Sequence, residues 1–204
     1  MLTTGIDFDA WTTEVGVTSS DGIVTSGAES VTGNGDAILV AQITLPSEIS
    51  KTVTLNFQGH SEDRSSPIMM ADVDPDWTRK GVAFALSTAN PSPCVVPYPS
   101  GSAVAPVVEI VSTNGIAYQT TYRLSVELNP EEAYSLHSVF GSADSPLVLP
   151  PAFQVASPFG ADVAGVSPAL FDASPASEFD SWLTVGDVSG NPSSMLTSGI
   201  DFDA

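Results

Sequence analysis

A chain of 204 residues with 42% apolar side chains is long enough to bury a substantial core. Its net charge of −19 reflects missing bases, since Lys51, Arg64, Arg79, Lys80 and Arg123 are the only basic side chains. Without a basic cluster there is little to grip a phosphate backbone or an anionic membrane surface, so nucleic acid and lipid are poor partners and cations are the natural counterparts.

Period-two alternation dominates the chain, and no long stretch carries helical periodicity. Residues 6–12 predict a first strand, with Ile6 and Phe8 on one face and Asp7 and Asp9 about 7 Å apart on the other. Residues 22–25 and 37–45 come next. The clearest strand is 52–58, where Val53, Leu55 and Phe57 face one way and Thr52, Thr54, Asn56 and Gln58 the other. Residues 82–88 predict the next strand. The stretch 89–106 is a stiff Pro-rich loop that holds Cys94, the only cysteine, so no disulfide forms within the chain. Residues 107–113 and 118–128 read as a hairpin joined at Asn114-Gly115, a pair that tolerates the positive φ of a type I′ turn. On the second strand Tyr118, Tyr122, Leu124, Val126 and Leu128 are expected to share a face. Strands at 134–140, 146–155 and 179–188 complete the set, with short helical turns at 130–133 and within 160–178. Eight to ten strands separated by Gly, Pro, Asn and Ser turns predict an all-β, antiparallel β-sandwich in one domain, with a closed β-barrel or jelly roll as the alternative.

The first ten residues return as the last ten. Residues 1–10 and 195–204 agree at nine positions of ten, Thr4 being replaced by Ser198, at a spacing of 194 residues. This is the spacing of large domains, not of solenoid repeats, so 1–194 is read as one repeat unit and 195–204 as the start of the next. Ile200 and Phe202, with Asp201 and Asp203, are the expected contacts between units. Two arrangements are open. Either 195–204 is the next unit's first strand, loosely held here while 1–10 lies in its own sheet, or it docks on the open edge of a neighbour. The first is favoured, because covalent linkage makes exchange unnecessary. A weaker echo links Phe8-Asp-Ala-Trp11 to Phe179-Asp-Ser-Trp182, with Phe171-Asp-Ala173 as a third partial copy.

Acids cluster at both ends and at Asp72, Asp74 and Asp76. With Asp7 and Asp9 these are the candidate calcium ligands, because calcium gathers six to eight oxygens. The 72–76 run lacks the glycine and distal glutamate of an EF-hand, and its neighbours Arg79 and Lys80 offer ion pairing instead. His60 and His137 are the only imidazoles, and no nucleophile elbow, zinc helix or phosphate loop is present, which argues against an enzyme. Trp77, expected to be exposed in its acidic loop, and Tyr98 are candidates for an aromatic platform that stacks on a sugar.

Several stretches carry a resemblance: Val40-Ala-Gln-Ile-Thr-Leu-Pro46, Phe57-Gln-Gly-His-Ser61, Tyr134-Ser-Leu-His-Ser-Val-Phe-Gly141, Phe179-Asp-Ser-Trp-Leu-Thr-Val-Gly186 and Gly199-Ile-Asp-Phe-Asp-Ala204. The chain resembles repeats of very large tandem-repeat proteins of marine unicellular algae and other protists. That resemblance implies a multi-repeat extracellular or cell-surface polypeptide and brings no catalytic residues. The resulting expectation is a structural module of a fibre, filament or adhesin, with calcium as a candidate stiffener and neighbouring units as partners. The alternative is a carbohydrate-binding module.

Overall fold

The computed structural model describes residues 5–25, 31–32, 35–61, 76–88, 102–191 and 195–196. These form twelve strands in two antiparallel sheets, connected by turns and short 3-10 helices, so the fold is all-β. The strands are β1 (Val17–Ser19), β2 (Gly22–Thr25), β3 (Val31–Thr32), β4 (Ile38–Pro46), β5 (Lys51–His60) and β6 (Asp76–Leu86), followed by β7 (Val104–Thr113), β8 (Gln119–Leu128), β9 (Ser135–Phe140), β10 (Leu147–Leu149), β11 (Trp182–Leu183) and β12 (Met195–Leu196).

The first sheet runs β1-β10-β5-β9-β2-β12, with β6 also on β5 and β3 also on β9. β1 and β2 are consecutive along the chain but pair with β10 and β9, which follow one another along one edge of β5 while β6 holds the other edge. The sheet is nearly closed, like a barrel. The second sheet, β11-β4-β8-β7, packs against it. Alternation explains the core between them. Val53, Leu55 and Phe57 of β5 are fully buried, as are Val40, Ile43, Leu124 and Val126 from the second sheet. Phe57 meets Phe84 of β6 edge to face, with ring centroids 6.2 Å apart.

Several boundaries differ from expectation. Residues 6–12 do not form a strand: Phe8–Ala10 is a 3-10 helix. The segment 146–155 keeps only Leu147–Leu149 as strand, because Pro150 and Pro151 cannot donate to a ladder. The segment 179–188 keeps only Trp182–Leu183, whereas 3-10 helices at Pro168–Leu170 and Pro175–Phe179 satisfy the expected helical turns. The β7–β8 hairpin forms, yet its loop spans 114–118 and is not a two-residue turn. Asn114, at φ 66°, donates from its backbone to the Gln119 carbonyl at 2.8 Å, and its Oδ1 accepts from the Tyr118 N–H at 3.2 Å.

Candidate functional site

The leading segment is anchored to the body of the unit. Ile6 is buried in the core, and Phe8 packs against that core and against Trp11, with centroids 6.4 Å apart. Asp7 caps the 3-10 helix, its Oδ1 accepting from the Ala10 N–H at 3.3 Å. The buried Trp11 donates its indole N–H to the Pro150 carbonyl at 2.8 Å. Ala152 donates to the Thr12 carbonyl, so the segment is tied to the stretch that follows β10, which Phe153 in turn ties to the Thr44 carbonyl of β4.

Asp7 and Asp9 share a shallow cleft of about 470 Å³ with Asp162, a residue that no motif or local pattern singles out. Partial loss of water around Asp162, and then the charge of Asp9, push its carboxyl above the ordinary value. Replacing Asp162→Asn is therefore expected to stabilise the fold at pH 7 by about a few tenths of a kcal/mol, and so to raise the melting temperature slightly, the effect being small because the residue is exposed to solvent. Thermal unfolding followed by circular dichroism checks this; a lower melting temperature would refute the repulsion. Among the described residues no three His, Cys, Asp or Glu side chains are grouped closely enough to hold one metal ion. Asp72, Asp74, Tyr98, Ile200, Asp201, Phe202 and Asp203 lie outside the described residues, as does the side chain of Asp76.

In both copies of the motif a 3-10 helix precedes a buried tryptophan, but Phe8–Ala10 is itself the first helix, whereas only Phe179 of the second copy is helical. In the second copy Pro175–Phe179 is the helix, and Trp182 is buried on β11. The two acids differ. Asp9 is exposed, whereas Asp180 is fully buried and accepts from the Val155 and Ala161 N–H groups, each at 2.8 Å. Gln42 of β4 clamps the same stretch, its Nε2 donating to the Glu178 and Asp180 carbonyls at 2.9 Å. Only the second copy reaches a paired strand, where Trp182 of β11 lies opposite Gln42 of β4.

At the far end, Met195 and Leu196 pair with Thr25 and Val24 on the edge of β2. This corrects the favoured expectation that the second copy is loosely held at its start. Its first two residues belong to the same sheet as β2 and β9. Deleting 195–204 is expected to cost the monomer about 1–2 kcal/mol through the lost ladder bonds, measured by denaturant unfolding. An unchanged midpoint would contradict the pairing.

Trp77 is not the exposed platform that its acidic neighbours suggest. It is 8% exposed, pairs with Gly59 across β5–β6, and donates its indole N–H to the His60 carbonyl at 3.1 Å. Gly59 has no side chain to obstruct the ring, so the indole lies down against the sheet. His60 and His137 meet across β5 and β9 with ring centroids 4.8 Å apart and planes tilted by 49°. No family model, curated protein or solved structure matches this chain.

Among the described residues the most exposed aromatic is Tyr118, at 85%. The β8 alternation begins one residue after it, and its φ of 62° turns it off the core face. Its N–H is held by Asn114, and its carbonyl accepts from the Ser47 N–H at 2.9 Å. It lines a groove of about 570 Å³ with Ile49, Glu48, Ser47, Thr88 and Thr120 among its neighbours. Left-handed backbone costs a non-glycine residue about 1 kcal/mol, and asparagine tolerates it better. Tyr118→Asn is expected to gain about 0.5–1 kcal/mol in denaturant unfolding; a loss would mean the ring packs against something essential.

Proposed function

We propose that the chain is a non-catalytic structural repeat module of an extracellular or cell-surface polypeptide, a fibre or adhesin stalk, joined end to end with further copies of itself. The observation that carries this reading is the duplicated decapeptide, whose second copy begins inside the sheet of the preceding unit. The acidic surface suits such a role, since like-charged beads stay dispersed along a polymer. Calcium enters the reading as a stabiliser acting on the acids that the sequence singles out, Asp7, Asp9, Asp72, Asp74 and Asp76, and not through a ready-made group among the described residues. It is expected to raise the melting temperature more than magnesium does, because magnesium gives up its water reluctantly. Small-angle scattering from chains of one, two and three units tests the proposal. Maximum dimension should grow in equal steps with unit number; collapse into a single globule would refute it.

A carbohydrate-binding role is the second reading, and it rests on Tyr118 in place of Trp77. An exposed, backbone-fixed ring beside several hydroxyl groups suits stacking against a sugar. Retention on a polysaccharide column that is lost in Tyr118→Ala, with the fold unchanged, would support it. Passage through the column without delay would remove it.

A further inference from the structure

The repeated decapeptide divides into two parts with different attachments. Its first two residues, as Met195-Leu196, are bonded to β2 of the unit that precedes them. Its last six, as Gly5–Ala10, dock on the unit they lead into: Ile6 in the core, Asp7 capping the 3-10 helix, and Phe8 against Trp11. Between these parts lie two residues, Thr3-Thr4 or Thr197-Ser198, and the only difference between the copies falls there.

We infer that this decapeptide is a shared segment, with Met-Leu completing the sheet of one unit and Gly-Ile-Asp-Phe-Asp-Ala entering the core of the next. The inference rests on the tandem reading and deepens it: the partner of the β2 edge is the next copy of this same chain. The β2 edge suits that occupant, because its other side is filled by β9 and an edge strand accepts an added strand through backbone bonds alone. Four virtual bonds separate Leu196 from the isoleucine of the same decapeptide, so the next unit's first anchored residue lies within about 15 Å of Leu196. A connector that short, strand-bound on one side and core-bound on the other, leaves little room for the units to move independently. Domains joined by ordinary linkers reorient freely by default.

The experiment uses a two-unit chain, residues 1–194 followed by 1–204, compared with the single chain by NMR relaxation. A flexible Gly/Ser insert between the two connector residues provides the control, since it leaves both strand and core attachments intact. The two-unit chain is expected to tumble as one body, with a rotational correlation time at least about twice that of the single unit, and the insert should return it towards the single-unit value. Independent tumbling of two folded units in the uninserted chain would overturn the shared segment while leaving the tandem reading in place. A second unit that fails to fold would overturn both.

Discussion

Asp180→Ala is expected to cost about 2–4 kcal/mol and to cost more at pH 4–5 than at pH 7. The carboxylate is fully buried, and each oxygen accepts a backbone N–H, from Val155 and from Ala161. Removing it strands both donors away from water, at about 1–3 kcal/mol each before relaxation. The pH dependence arises from burial, which pushes the Asp180 carboxyl from 3.8 up to about 6 against the pull of those donors. Because the folded-state value exceeds the unfolded one, the folded state binds the extra proton between the two. The stabilisation is fully present below 3.8 and is lost as pH rises through about 6. A shift of this size is on the order of 2–3 kcal/mol. Asp162 contributes in the same direction. Asp144 works in the opposite sense, its carboxyl lowered to about 2 by the Ser142 hydroxyl and by Lys80, whose ion pair with it spans 2.9 Å. Its contribution is present above 3.8 and is lost as pH falls through about 2. Stability should therefore peak near pH 4, and Asp180→Asn should flatten the decline between pH 4 and 6. A wild-type melting temperature that climbs steadily from pH 4 to 7 would contradict this assignment.

Gly59→Ala is expected to be at least as damaging, with a loss of about 3 kcal/mol or more. A Cβ at this position would collide with the Ser135 carbonyl oxygen of β9 and sit 2.6 Å from the Trp77 ring. Neither neighbour is a flexible side-chain end. Gly59 also lies at the register shift where β5 changes its pairing with β9, so relief would require separating the strands. Overpacking of a rigid core site costs about 1–3 kcal/mol, and losing ladder bonds adds to it. Urea unfolding of the variant measures the effect directly. A midpoint within experimental error of the wild type would mean that the seam is far looser than its geometry.

The strands with clean alternation are legible because each buries one face. β5 and β8 need Val53, Leu55 and Phe57, or Tyr122, Leu124 and Val126, at every second position, and the sequence supplies them. The rim is less legible for a specific reason. Ile6-Asp-Phe-Asp alternates as a strand does, yet Asp7 caps its own chain and bends it into a 3-10 turn before pairing can begin. A capping aspartate and an outward-facing strand aspartate look alike in sequence. Tyr118 departs from its expected face because of the hairpin loop. Asn114-Gly115 correctly marks the turn, but the longer loop delays the start of β8 and leaves the ring exposed. The burial of Trp77 is legible from Gly59, since a glycine within a strand signals close approach, but only once the pairing of β5 with β6 is known. Asp162 carries no local signal, because its partner Asp9 is far away along the chain.

Pulling a recombinant array of several units in a single-molecule force experiment tests the tandem reading most directly. One unit contributes 194 residues between equivalent points, so each unfolding event should release about 60–70 nm of contour length. The expected trace is a series of evenly spaced ruptures, one for each unit. Irregular spacing, or extension without discrete ruptures, would contradict a chain of folded, equivalent modules.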